Sequence, residues 1–145
     1  MFREIQGHPL EELIITTLYF GLRRSEVLGL RWSAVDFNKN MLTINHTVVK
    51  VKSTVRKDNT KTEDSLRKCY MSEYIANMLR KVRRRQLESK VLFGQAYFES
   101  DYIFTWQNGK PFSPDYVTKT FKKIVTRSEN LPTELTCHDL RKSGI

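Results

Sequence analysis

Three residues carry the chemistry that this sequence offers most plainly: Arg23, His138 and Arg141. Arg23 follows Gly21 and Leu22, where one apolar helix is expected to end and another to begin. Backbone N–H groups left open at a helix start favour an anion, and a guanidinium placed there adds a planar fork of donors suited to oxyanions. Glu26 lies one turn further on, close enough to orient the Arg23 guanidinium. An ordinary surface Arg–Glu pair has the same spacing, and that alternative stays open here. His138 and Arg141 are spaced i, i+3, so on a helix both project from one face. A helix-capping histidine explains the first of them equally well.

The elements that must position these residues are legible in the periodicity. Leu10, Leu13, Ile14, Thr17, Leu18 and Gly21 recur at helical spacing, and Gly21 suits the helix end. Val27, Leu28 and Leu30 anchor the next helix. Residues 36–41 form a turn signal, after which Leu42, Ile44 and His46 alternate with polar neighbours as in a strand. A second strand is expected over 48–53, a polar hairpin loop over 56–65 and a third strand over 66–71. Ser72 caps a helix with Tyr74, Ile75, Met78, Leu79 and Val82 as its buried stripe, leaving Arg83, Arg84 and Arg85 on a solvated face. After an apolar patch at 101–105, Ser113-Pro114-Asp115 starts another helix, with Val117, Phe121, Ile124 and Val125 on one side. Lys119, Lys123 and Arg127 recur at i, i+4, i+8 on another side, a basic row able to follow a phosphate backbone. The expected fold is α+β, mostly helical, with a small three-stranded antiparallel sheet and a basic hairpin at one edge.

Composition sets bounds on function. The 145 residues suit one domain, and 39% hydrophobic with 11% aromatic content argues against disorder. No apolar run approaches a membrane span. Cys69 and Cys137 make no disulfide framework and, with three scattered histidines, no zinc spacing. A reducing compartment follows as the expectation. The formal charge of +9 points to a polyanion, nucleic acid first, although charge kept for solubility is the alternative.

The stretch from Gly21 through Leu22, Arg23, Arg24, Ser25 and Glu26 to Arg31 and Trp32 resembles the first signature of the tyrosine recombinases, the phage integrase family. Lys61-Thr62, with Ser65 and Arg67 downstream, resembles that family's hairpin motif. Tyr102-Ile103-Phe104 and Asn108 to Pro111 resemble the lead-in to its His-x-x-Arg box, and Cys137-His138-Asp139-Leu140-Arg141 resembles the box itself. Three signatures fall in order across nearly the whole chain. The resemblance implies a DNA breaking and rejoining catalytic core that works through a phosphotyrosine, with no metal and no other cofactor. Arg23 and Arg141 would clamp the non-bridging oxygens of the phosphate under attack, gaining strength as charge builds there. By the same resemblance His138 transfers a proton, Lys61 is the general acid for the departing 5′-oxygen and Glu26 supports Arg23. Lys57, Arg67, Lys119, Lys123 and Arg127 are expected phosphate contacts. Duplex DNA is the implied partner, with the whole protein a tetramer on two DNA sites in the cytoplasm, associated with the nucleoid.

One departure from the family matters. Its nucleophilic tyrosine follows the His-x-x-Arg box, whereas Tyr19, Tyr70, Tyr74, Tyr97, Tyr102 and Tyr116 all precede His138. Residues 1–145 therefore read as a partial catalytic domain, without an N-terminal clamp domain or a tyrosine-bearing tail, and inactive in cleavage by itself. The alternative is a non-catalytic DNA-binding or interaction module with a vestigial recombinase motif.

Overall fold

The computed structural model describes residues 6–50, 54–58 and 67–127. Helix α1 (Glu11–Phe20) buries Leu13, Ile14, Thr16 and Thr17, and the Thr17 hydroxyl donates to the Leu13 carbonyl at 2.8 Å. Gly21 ends α1 at φ 64°, a left-handed conformation that costs a glycine little. The chain then turns through buried Leu22 into the five-residue helix α2 (Arg24–Leu28), whose N-cap is Arg23.

A short 3-10 turn (Trp32–Ala34) leads into the strands β1 (Val35–Asp36), β2 (Met41–Ile44), β3 (His46–Lys50), β4 (Thr54–Asp58) and β5 (Arg67–Tyr70). They form a three-stranded antiparallel sheet in the order β1–β2–β5 and a separate antiparallel ribbon, β3–β4. The number of sheet strands agrees with expectation, and β2 and β5 are two of those expected, but the third is β1 and not the segment over 48–53. Asn45 separates β2 from β3, and from His46 the chain leaves the sheet and pairs with β4, His46 opposite Asp58 and Lys50 opposite Thr54. Arg56 and Lys57 therefore lie in a strand, not in the expected loop. The sheet's first strand is Val35–Asp36, too short for an alternation pattern to reveal. Its turn is built as the residue types suggest: the Asp36 carboxylate accepts from the N–H groups of Asn38 and Lys39, and Asn40 takes φ 52°.

Helix α3 (Glu73–Phe93) is capped by the Ser72 hydroxyl, which accepts from the Ile75 N–H at 3.3 Å. Its buried face is Ile75, Ala76, Leu79 and Val82, while Tyr74, expected in that stripe, is 65% exposed. A residue directly before the stripe points about 100° away from it on a helix. Helix α4 (Pro114–Arg127) starts at Ser113, whose hydroxyl accepts from the Tyr116 N–H, and buries Val117, Phe121 and Ile124. Its Lys119, Lys122 and Lys123 face solvent. The core joins Leu10, Leu13 and Ile14 to Val27, Leu42, Ile44, Met71, Leu79, Ile103 and Phe121, all nearly inaccessible. No helix among the described residues is long and apolar enough to cross a membrane.

Part of the expected solvated arginine face is engaged in structure. Arg83 stacks over the Trp32 ring at 5.1 Å, and Arg85 pairs with Glu12 of α1. Next to them Gln86 joins three segments. Its carbonyl accepts from Trp32 Nε1 at 2.7 Å, and its amide donates to the Ile103 carbonyl at 2.7 Å and to the Thr105 hydroxyl at 3.1 Å. We expect Gln86→Leu to cost about 2 kcal/mol in chemical denaturation, because the indole N–H and the Ile103 carbonyl lose their partner together. A loss no larger than that of an exposed substitution would show that water replaces the amide.

Candidate functional site

Arg23 sits at the bend between α1 and α2 with its side chain exposed. What holds it is its backbone. The Arg23 N–H donates to Glu26 Oε1 at 2.9 Å, and the Arg23 carbonyl accepts from the N–H groups of Glu26 and Val27, each at 3.0 Å. This is the carboxylate half of a capping box, and a Glu at the third helical position is its sequence signature. Glu26 was expected to orient the guanidinium of Arg23; its observed contact is with the main chain.

The same carboxylate oxygen meets a second arginine. Arg67 Nη2 of β5 lies 2.8 Å from Glu26 Oε1, with Glu26 only 15% exposed. That nitrogen is buried and lacks hydrogen-bond geometry, so the contact is a coulombic pair. Arg67, expected to meet phosphate, is thus turned toward protein. Cys69, two residues along the same strand face, feels both charges. Burial pushes its thiol pKa up, the Arg67 charge pulls it down and the Glu26 charge raises it again.

The neighbouring Arg24 points elsewhere. Its guanidinium donates to the Thr118 hydroxyl at 2.7 Å, tying the start of α2 to α4. This contact seats the Arg23 bend against the helix that presents Lys119, Lys122 and Lys123. On the other side, Gly29 lies under β3: a Cβ there would stand 2.1 Å from the His46 carbonyl oxygen and 2.9 Å from Thr47 Cα. The ribbon therefore rests on the end of α2, and His46 at its root is buried with Nε2 2.8 Å from the Tyr102 hydroxyl.

Of the residues singled out from sequence, Arg23, Glu26 and Arg67 come together around one carboxylate. Lys119 and Lys123 are exposed on α4, the helix that Arg24 reaches through Thr118, and Lys57 belongs to β4 opposite Thr47. Arg127 ends α4. Lys61, His138 and Arg141 lie outside the described residues. Among those described, no three His, Cys, Asp or Glu side chains cluster as metal ligands. The Arg67–Glu26 pair, the Arg24–Thr118 bond and the Gly29 contact had no one-dimensional signal, since each joins residues far apart in the chain.

Three of the tyrosines have ring or hydroxyl contacts within the fold. Tyr102 meets His46, Tyr19 packs edge-on against Phe20, and Tyr116 packs with Trp106 and Phe112. Tyr70 is 68% exposed, but strand alternation puts it on the face of β5 opposite Arg67.

Comparison with known proteins gives a consistent result. The sequence profile described as the phage integrase family matches residues 6–144. A tyrosine recombinase XerC-like protein of Caldanaerobacter subterraneus subsp. tengcongensis is 32% identical over 136 residues, covering 86% of this chain and 35% of that protein. The integrase of Staphylococcus phage L54a is 32% identical over 130 residues, covering 86% of this chain and 36% of that protein. The chain thus spans about a third of the length of these curated relatives. Among solved structures, the Tn1549 transposon integrase in complex with transposon right end DNA matches 98% of this chain and 48% of its own, with a TM-score of 0.77 at 24% identity. The lambda integrase catalytic core matches 98% of this chain and 73% of its own, with a TM-score of 0.54 at 17% identity. At these identities the two structures speak for the fold alone.

Proposed function

This chain belongs to the phage integrase family, and from that membership we propose that residues 1–145 form part of the catalytic domain of a site-specific DNA recombinase. Such a protein cleaves one strand of a duplex by transferring a phosphodiester to a tyrosine and rejoins it by the reverse transfer. The observation that carries the reading is the bend at Arg23. There an exposed guanidinium stands on a backbone held by a largely buried carboxylate, beside a helix with three exposed lysines.

The chemistry asked of these residues is electrostatic. As phosphorus becomes five-coordinate, charge grows on its non-bridging oxygens. Donors fixed in advance gain more from that growth than they gain in the ground state. Arg23 supplies one such donor set, and Arg141 supplies the other in this proposal. His138 exchanges a proton near the phosphate, and Lys61 protonates the 5′-oxygen as it leaves. The attacking hydroxyl is not one of the six tyrosines in this sequence, because none follows His138 and those described near the core are engaged elsewhere. Tetrameric assembly on two duplexes belongs to the same proposal.

Arg24, Arg67 and Arg85 are turned to protein partners, which leaves fewer free cationic side chains to meet phosphate. We therefore expect duplex binding to be weak and dependent on salt, with little preference among sequences. Changing both Lys119 and Lys123 to Glu is expected to lower the slope of log K against log salt by roughly 1.8, about 0.9 for each phosphate left unneutralised. Binding indifferent to salt would overturn the DNA reading. A covalent adduct with a nicked duplex on a denaturing gel would overturn the statement about the tyrosines.

A further inference from the structure

We infer that Arg67 is a positioning residue: its guanidinium holds Glu26, and Glu26 in turn holds the backbone of Arg23. The role of Arg23 rests on the function proposed above, whereas the link between Arg67 and Glu26 does not. Three observations carry the inference. One carboxylate oxygen, Glu26 Oε1, lies 2.8 Å from Arg67 Nη2 and 2.9 Å from the Arg23 nitrogen. Glu26 is 15% exposed, so little water competes for it and its charge needs a protein cation. Arg67 pairs across the sheet with Ile44, itself 1% exposed, so β5 fixes where the guanidinium starts.

The geometry joins two parts of the site that are distant in sequence. Arg67 opens β5, and His46, at the root of the ribbon, follows Ile44 by two residues. The chain between β4 and β5 includes Lys61. The first described residue after that segment is Arg67, which grips Glu26. The α2 N-cap and the strand that follows Lys61 therefore share one electrostatic joint. A phosphate contact by Arg67 would require leaving Glu26 with a single N–H partner in a poorly hydrated place, which is costly for a carboxylate.

The test has two arms. The first needs no DNA and uses Cys69 as a reporter in the intact chain carrying Cys137→Ser. The rate of thiol alkylation is followed against pH. Arg67→Gln removes the cation that favours the thiolate and leaves the Glu26 charge, so the Cys69 midpoint should rise; adding Glu26→Gln should bring it back down. Arg67→Lys, which keeps the charge, should stay nearer the parent. A midpoint unmoved by Arg67→Gln, or the same in the single and double variants, overturns the link. The second arm measures duplex binding against salt. A positioning residue leaves the slope unchanged in Arg67→Gln, and single-turnover cleavage in a recombination-active protein falls roughly tenfold with binding retained. A slope lower by roughly 0.9 marks a phosphate contact and overturns the inference. A parent chain that binds no DNA overturns the functional reading instead, and the thiol titration then decides the role of Arg67 alone.

Discussion

Arg23→Ala is expected to slow strand cleavage by about 10²–10³-fold while leaving the fold intact. The two halves of this expectation come from different atoms of one residue. The guanidinium is exposed, and in the proposed function it is the group offered to phosphate, so its removal costs transition-state stabilisation. The main-chain N–H that donates to Glu26 at 2.9 Å survives the substitution, so the bend should hold its shape. Unfolding stability should stay within about 0.5 kcal/mol of the parent, as for other exposed positions. Single-turnover cleavage of a nicked duplex by a recombination-active protein carrying these residues is the measurement, with denaturant unfolding beside it. A drop below tenfold would remove Arg23 from the chemistry. An equal loss of stability would mean that the side chain serves the bend and not the phosphate.

Gly29→Ala should be far more damaging to the fold than its single added methyl suggests. Gly29 has φ −86°, which any residue adopts, so its backbone is not the obstacle. The obstacle is space. The new Cβ would lie 2.1 Å from the His46 carbonyl oxygen and 2.7 Å from its carbon, and these are main-chain atoms that cannot rotate away. Either β3 lifts from α2 or the packing of Val27 in the core loosens. We expect a loss of about 3 kcal/mol, at the upper end of overpacking costs. Equilibrium denaturation measures it, and hydrogen exchange at β3 should report the lifting first. A loss below about 0.5 kcal/mol would show that the ribbon is held by other contacts.

The sequence made the helices legible because each carries a long period and its own punctuation. Gly21, Ser72 and Ser113 mark boundaries within a residue or two of those observed, and the stripes of α1 and α4 face inward largely as their spacing predicts. The strands were harder, since β1 has two residues and the exit of β3 from the sheet depends on a partner, β4, whose composition is that of a loop. Thr54, Arg56, Lys57 and Asp58 carry no apolar alternation, and only pairing with His46 through Lys50 makes them a strand. The same limit applies to the site. Arg23 and Glu26 were readable because they are neighbours on one helix end. The engagement of Arg67 by Glu26 was not, because it closes across 41 positions of chain and leaves no local pattern.

Among the described residues, the ribbon β3–β4 pairs only with itself and lies outside the order β1–β2–β5. Its length is therefore independent of the sheet's register. Adding one residue pair to each arm keeps every side chain on its own face, moves no hydrogen bond of the central sheet and leaves the Gly29 seat at the ribbon's root in place. Lengthening such a connection costs little, about 0.6 kcal/mol for each doubling of a flexible loop. Reach and core stability are thus separate variables in this architecture. A protein built on it can change the span of this arm while the Arg23 bend stays where it is.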